Sequence, residues 1–303
     1  MDSFRSQLLA FRAQIDQIDD QLMELLVQRA AIVSEVGALK KHHLQDECYI
    51  RSGREGDMVR RIYTFFKDKP LSAEAMAGIW RLLIAASTAI EENLTIATLS
   101  DDQSSSYWLS REYFGNFLPI QTHRTTSRVI GDLMEGKASI GVLPLPSIAD
   151  SESWWPLLFT DKARSLRIFA LLPFIQHENA RLTQAVAIAR LEPEASAQDV
   201  SYFALEVDES VSTSRLQSAF QRAQLEATWV NILQHPGGKR AVLVAINGFL
   251  KPDGLPIEAV RQSLDSSLLR LEWLGAHPAP IMVPDSKPLL AKAPLDVSKT
   301  AAT

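Results

Sequence analysis

The chain reads as a multi-domain protein of three folded units in series: an all-α module of three helices, an α/β region, and an α+β unit. Three observations carry that reading. The first ninety-odd residues are poor in proline and helical in period, and from residue 95 the apolar runs become short and β-rich. From residue 197 strands and helices follow one another in the order βαββαβ, the ferredoxin-like arrangement. The boundaries fall at 1–94, 95–196 and 197–283, and 284–303, rich in Pro, Lys, Ala and Ser, reads as a disordered tail.

The helical module predicts helices over 4–42, 50–67 and 72–94. They are interrupted near "HHLQDECYIRSGRE" and at "KDKPLSAEA", where Pro70 stops one helix and Ser72 caps the next. At about 100° per residue, Leu22, Leu25, Leu26, Val33 and Val36 share one face of the first helix, and Arg29 and Lys40 fall inside it. On the third helix Met76, Ile79, Leu83, Ile90 and Leu94 form an apolar face that contains Ser87, with Glu91 at its margin. The α/β region follows as strands "LTIATLS", "SIGVLPLP", "LRIFALLPFI" and "AVAIARL", with a helix at "TTSRVIGDLMEG" between the first two. The last unit reads strand "VSYFALEV", helix "STSRLQSAFQRAQ", strand "ATWVNIL", a turn at "HPGGK", strand "RAVLVAING", helix "IEAVRQSL" and strand "LLRLEWLGA".

Composition narrows the setting. Of 303 residues 46% are hydrophobic and 22% charged, a globular balance. A net charge of -5 with dispersed cations provides no basic field for nucleic acid. The single cysteine, Cys48, excludes an intrachain disulfide and fits a reducing compartment, either as a buried thiol or as a reactive one. The N-terminus mixes charge into its first turns, unlike a signal sequence, and the apolar run within "LRIFALLPFIQ" is too short to cross a bilayer. These features predict a cytoplasmic protein with no membrane and no nucleic-acid partner.

The first helix is too long for its module. As a rod of ~55 Å it outruns a domain only ~25 Å across, so half of its apolar stripe would face water. A second copy covering that stripe predicts an intertwined homodimer.

Cations placed in an apolar seam need partners, because an unpaired buried charge costs several kcal/mol. Internal salt bridges, for instance with Glu55, are one solution. An anionic ligand bound among the helices is the other. The second helix opens with Arg51, Arg54 and Glu55, so five inward-leaning groups include four cations and one acid. That imbalance asks for roughly two negative charges from outside. Ser87 and Glu91 then read as hydrogen-bonding groups around a small dianion.

The segments "LLAFRAQIDQIDDQLMELLVQRAAIVSEVGALK", "GRE" and "IWRLLIAASTAIEE" together resemble the all-helical class of chorismate mutase over residues 4–94. The resemblance implies an intertwined dimer and no cofactor or metal, since the reaction is a unimolecular Claisen rearrangement of chorismate to prephenate in aromatic amino acid biosynthesis on the shikimate pathway. It assigns Arg29 and Arg12 to the two substrate carboxylates, Arg12 coming from the other protomer. Lys40 and Glu91 would hydrogen-bond the ether oxygen, and Glu55 and Ser87 would hold the ring hydroxyl and a nearby carboxylate with Arg54 in support. Arg51 stands where some members have an acid. Catalysis then consists of holding the reactive conformer and placing donors where negative charge develops.

The remainder resembles the rest of the bifunctional chorismate mutase/prephenate dehydratase. "LTIATLSDDQSSSYWLSREYFGNF" and "HRTTSRVIGDLMEGKASIGVLPLPS" are similar to the first lobe of the dehydratase. The second lobe is missing, and the expected Thr-Arg-Phe motif reads Thr183, Gln184, Ala185. The resemblance therefore implies a degenerate region without dehydratase activity. Residues 197–283 are similar to the ACT regulatory domain but lack its Gly-Ala-Leu and Glu-Ser-Arg-Pro motifs, which leaves an amino-acid effector there open. The rival readings are an isochorismate-pyruvate lyase on the same helical fold and a non-catalytic regulatory protein.

Overall fold

A computed structural model of the chain describes residues 2–43, 49–100, 105–150, 153–160, 163, 165–178, 183–235 and 237–284. Cys48, much of the serine-containing loop at 101–104, the proline of the "HPGGK" turn and the tail from residue 285 lie outside the described residues.

The three helices form as the periodicity predicts: α1 (Asp2–His43), α2 (Ser52–Phe66) and α3 (Ala73–Glu91). Ser72 caps α3, its side chain accepting from the Ala75 N–H at 3.3 Å. With 42 residues, α1 is a rod of about 63 Å. Only its C-terminal half meets the rest of the chain, by packing on α3, and every side chain from Ser3 to Gln28 is exposed.

The α/β part contains β1 (Ile96–Leu99), α4 (Ser106–Phe114), β2 (Ile120–His123), α5 (Thr126–Met134), β3 (Ile140–Pro144), β4 (Leu166–Leu172), β5 (Ile175–His177) and β6 (Ala185–Arg190). The last unit contains β7 (Asp199–Asp208), α6 (Thr213–Arg222), β8 (Ala227–His235), β9 (Lys239–Asn247), α7 (Leu255–Leu264) and β10 (Leu268–Pro278), followed by β11 (Ile281–Val283). Strands β10, β7, β9 and β8 lie side by side and antiparallel, with α6 and α7 on one face over Phe203, Leu205, Val242 and Val244. The predicted βαββαβ order is therefore present, with its strands in the order fourth, first, third, second.

Two features depart from the sequence reading. Residues 197–283 do not form a separate sheet, because β10 also pairs parallel with β4 through Gly275 and Ile168, and one nine-stranded sheet runs across both regions in the order β2-β1-β3-β6-β4-β10-β7-β9-β8. The second departure concerns α3. Its buried positions are Ala77, Arg81, Ile84, Ala85, Ser87 and Thr88, whereas Ile79 and Ile90 of the predicted apolar face are exposed. The helix is apolar on more than one side, and by length and hydropathy it is the one described helix that could cross a membrane. Here it lies between α1, α2 and α4, with Arg81 and Glu91 in ion pairs.

The helical module docks on the sheet through α2. The segment 192–198 runs along α2, and a Cβ on Gly53 would sit 2.5 Å from the Ala195 carbonyl oxygen, a separation that only glycine permits. Arg60 donates to the carbonyls of Gln198 at 2.8 Å and Ala279 at 2.5 Å, and Asp57 accepts from the Ala197 N–H at 3.0 Å. Beyond this contact, His277 is buried in β10. Its Nδ1 donates to the Pro278 carbonyl at 2.9 Å, its Nε2 faces the Tyr202 hydroxyl at 3.3 Å, and burial pushes its pKa down to about 4.

Candidate active site

The seam between α1 and α3 collects four of the eight residues that the sequence singles out. Arg29 Nη1 donates to Ser87 Oγ, which donates in turn to the Leu83 carbonyl at 2.6 Å. One helical stretch further on, Lys40 Nζ pairs with Glu91 Oε2 and also donates to the Tyr49 carbonyl at 3.2 Å, with the Tyr49 ring 5.4 Å away. Both side chains of that pair are more than four-fifths buried. The helices approach this closely because α1 carries Gly37 at the crossing, where a Cβ would already stand 3.0 Å from Glu91 Cα.

The two cations in the seam differ in how they are matched. Lys40 has a carboxylate, so the internal salt bridge left open by the sequence exists for it, with Glu91 as the partner. Arg29 has a neutral hydroxyl, and no carboxylate lies within ion-pair distance of it among the described residues. A partly buried guanidinium with only a hydroxyl beside it favours an anion.

The other four residues are placed elsewhere. Arg12 is exposed on α1, and seventeen residues of helix set it about 25 Å along the axis from Arg29, out of reach of the cluster in its own chain. Arg51 turns outward, its Nε meeting Glu194 at 2.8 and 3.1 Å, because docking of α2 against 192–198 brings that acid alongside. Arg54 is exposed. Glu55 pairs with Arg81 Nη2 at 2.6 Å, so the structure does not gather the five inward-leaning groups into one cluster.

Arg81 is the residue that sequence reasoning passed over. It is only 8% exposed, its Nη1 donates to the Tyr113 hydroxyl at 3.3 Å, and its guanidinium lies 4.4 Å from the Tyr113 ring. Burial disfavours its charge, but its neighbours outweigh that effect and hold its pKa above the usual value, while burial raises the Tyr113 phenol. Tyr113 therefore stays neutral, and Glu55 is the charge that balances Arg81. An arginine inside "IWRLLIA" was a readable signal of the same kind as Arg29.

The helices that carry this seam match a known family. Residues 11–92 match the chorismate mutase type II family. The chain is also similar to the bifunctional chorismate mutase/prephenate dehydratases of Stutzerimonas stutzeri, at 26% identity over 142 residues, and of Pseudomonas aeruginosa, at 26% over 144. Each alignment covers 46% of this chain and 39% of the relative, so the chain spans about two-fifths of the length of the curated relatives it matches. Among solved structures, a prephenate dehydratase from Streptococcus mutans aligns at 12% identity with a TM-score of 0.46, covering 63% of this chain and 100% of that one. The α/β region follows the residues that match that family, and the seam between α1 and α3 lies wholly within them.

Proposed function

We propose that the chain is a chorismate mutase that converts chorismate to prephenate, acting as a homodimer in the cytoplasm. The observation that carries this reading is the α1–α3 seam, where Arg29 has no carboxylate partner among the described residues and lies beside a second cation and two hydrogen-bonding groups. Arg29 binds one substrate carboxylate, and Arg12 of a second copy binds the other. Lys40 donates to the ether oxygen as its C–O bond breaks, and Ser87 positions a neighbouring carboxylate. Glu91 contributes as a donor when protonated, because an ionised carboxyl would oppose the charge that develops on the ether oxygen. Glu55 holds the ring hydroxyl, Arg81 fixes the position of Glu55, and Arg54 supports the carboxylate side. The rearrangement needs no nucleophile, metal or cofactor from the chain, only a held conformer and placed charge.

The dimer reading is supported by the exposed half of α1 and by the distance that separates Arg12 from Arg29. For the C-terminal half we propose an ACT-like regulatory or structural role without dehydratase activity. In support, the entry into β6 reads Thr183, Gln184 and Ala185 where an active dehydratase would carry Arg and Phe, and Gln184 spends its amide on Gln176 at 2.9 Å. The deciding experiment follows loss of chorismate absorbance with the purified chain and quantifies prephenate, phenylpyruvate and pyruvate. Prephenate alone is the expected product. Pyruvate would establish a lyase instead, enzyme-dependent phenylpyruvate at neutral pH would restore the dehydratase, and no turnover would leave a non-catalytic protein.

A further inference from the structure

Two successive acids at the end of α3 bear on Lys40, one directly and one through the backbone of Tyr49. The helix stops between them. Glu91 keeps the helical face and pairs with Lys40 Nζ, whereas Glu92 has an extended backbone, although its N–H still donates to the Thr88 carbonyl at 3.0 Å. Its side chain therefore leaves that face and accepts from the Tyr49 N–H at 2.9 Å. The Tyr49 carbonyl in turn accepts from Lys40 Nζ at 3.2 Å. The next residue, Ile50, is only 8% exposed and packs with Val59, Ala77 and Ile84. The carbonyl of Tyr49 is thus fixed from both sides, by a hydrogen bond to a charged group before it and by a core side chain after it.

An ammonium carries three N–H donors in a tetrahedral arrangement. Among the described residues Glu91 takes one donor of Lys40 and the Tyr49 carbonyl takes another, so the third is left over and its direction is set by the first two. In the mutase reading Glu91 itself serves the ether oxygen, which leaves the Tyr49 carbonyl as the acceptor that holds Lys40 without being part of the reacting set. Glu92 pairs with no cation among the described residues, and its bond there is the one to Tyr49.

We propose that Glu92 is a positioning residue for Lys40: by fixing the backbone of Tyr49 it aims the remaining donor of the ammonium into the α1–α3 seam. This role rests on the mutase reading. A donor that meets the ether oxygen as negative charge develops there acts in the transition state, so misaiming it costs turnover more than substrate binding.

The test is steady-state kinetics of the full chain with chorismate, for wild type, Glu92→Ala and Glu92→Gln, and for Glu92→Ala combined with Lys40→Ala. Glu92→Ala should lower kcat at least about tenfold and leave KM within about threefold of wild type. Glu92→Gln, whose amide oxygen still accepts from the Tyr49 N–H, should recover kcat to within about threefold of wild type. Glu92→Asp keeps the charge but draws it back by one methylene; it should lose kcat as the alanine variant does, and it takes that variant's place if Glu92→Ala fails to fold. With Lys40→Ala already present, the same change at Glu92 should alter kcat by less than about twofold, because no ammonium is left to aim, whereas a merely structural contact would cost activity in both backgrounds. A wild-type chain without turnover would remove the mutase reading and this role with it. With an active wild type, the role of Glu92 alone would be overturned by Glu92→Ala at full kcat, by a glutamine variant as impaired as the alanine one, or by an equal loss with and without Lys40.

Discussion

Helix α1 and the nine-stranded sheet use similar apolar residues to opposite ends. In the sheet, Ile140, Ile188, Phe203, Leu205 and Val244 are wholly buried between layers of the same chain. Along α1, Leu25 is 59% exposed and Val27 70%, and the exposed apolar positions run from Phe4 to Leu39. A sheet covered on both faces has no apolar surface left to hide, whereas a helix with an open stripe holds association free energy that folding has not used. The open faces of α1 and α3, with Ile79, Leu82 and Ile90 exposed on α3, are the surfaces on which the proposed second copy would pack.

The change expected to break this contrast most completely is Leu22→Asp combined with Leu26→Asp. Light scattering should show a monomer, and mutase turnover should fall more than about a hundredfold, because the pair of charges makes burial of the stripe prohibitive. Complementation then tests whether the site is shared. Arg12→Ala and Arg29→Ala should each be inactive alone, and their mixture should recover about a quarter of wild-type activity through heterodimers with one intact site. A mixture that stays inactive would mean that Arg12 serves its own chain or no site at all.

Within the seam, Arg29→Ala and Lys40→Ala should each lower kcat/KM by about a hundredfold or more, with unfolding curves little changed. Near wild-type turnover in both variants would reduce the cations to structural contacts, Lys40 to its pair with Glu91 and Arg29 to its bond with Ser87. On the sheet-facing side, Arg81→Met should destabilise the chain by about 3 kcal/mol in urea unfolding, since it strands Glu55 without a partner. Adding Glu55→Gln should recover part of that loss, as expected for a coupled pair.

A smaller effect separates the sheet from the helices by pH. His277 titrates at about 4 in the folded chain, against about 6.5 unfolded, so between those values only the unfolded chain takes up the proton and stability falls as the pH drops. From pH 8 to pH 5 the expected loss is about 2 kcal/mol, and His277→Gln should abolish this dependence. The mildest change is Glu91→Gln, which keeps a donor at the ether oxygen and removes the ionisation. Activity of the variant at pH 8 should be equal to or above wild type. An inactive variant would remove the donor role assigned to Glu91 from the mechanism.

Much of this was legible in the residues. Helix ends fall within a few positions of those read from Pro70, Ser72 and the apolar period, and Arg29, Lys40, Ser87 and Glu91 meet at the seam where their spacing put them. What escaped depends on contacts between distant segments. Periodicity locates an apolar face but not its owner, so the stripe of Ile79 and Ile90 looked like the core of α3 although Ala77, Arg81 and Thr88 fill that role. Arg51 and Glu55 were read from α2 alone, and their partners, Glu194 and Arg81, lie 143 and 26 residues away. Helix α4 and strand β2 were missed because "SSSYWLSREYFGNF" mixes serines and aromatics without a clean period, and β2 is only four residues of an edge strand.

The segment from 192 to 198 has almost no regular structure, yet it is bonded along α2 and seated against Gly53. Such a stretch would ordinarily be where a protease nicks a chain and where a domain can be lifted out as a transplantable cassette. Here the bonds from Asp57 and Arg60 close that route. A mild protease should spare the junction, and a helical fragment expressed alone would carry a bare glycine face on α2.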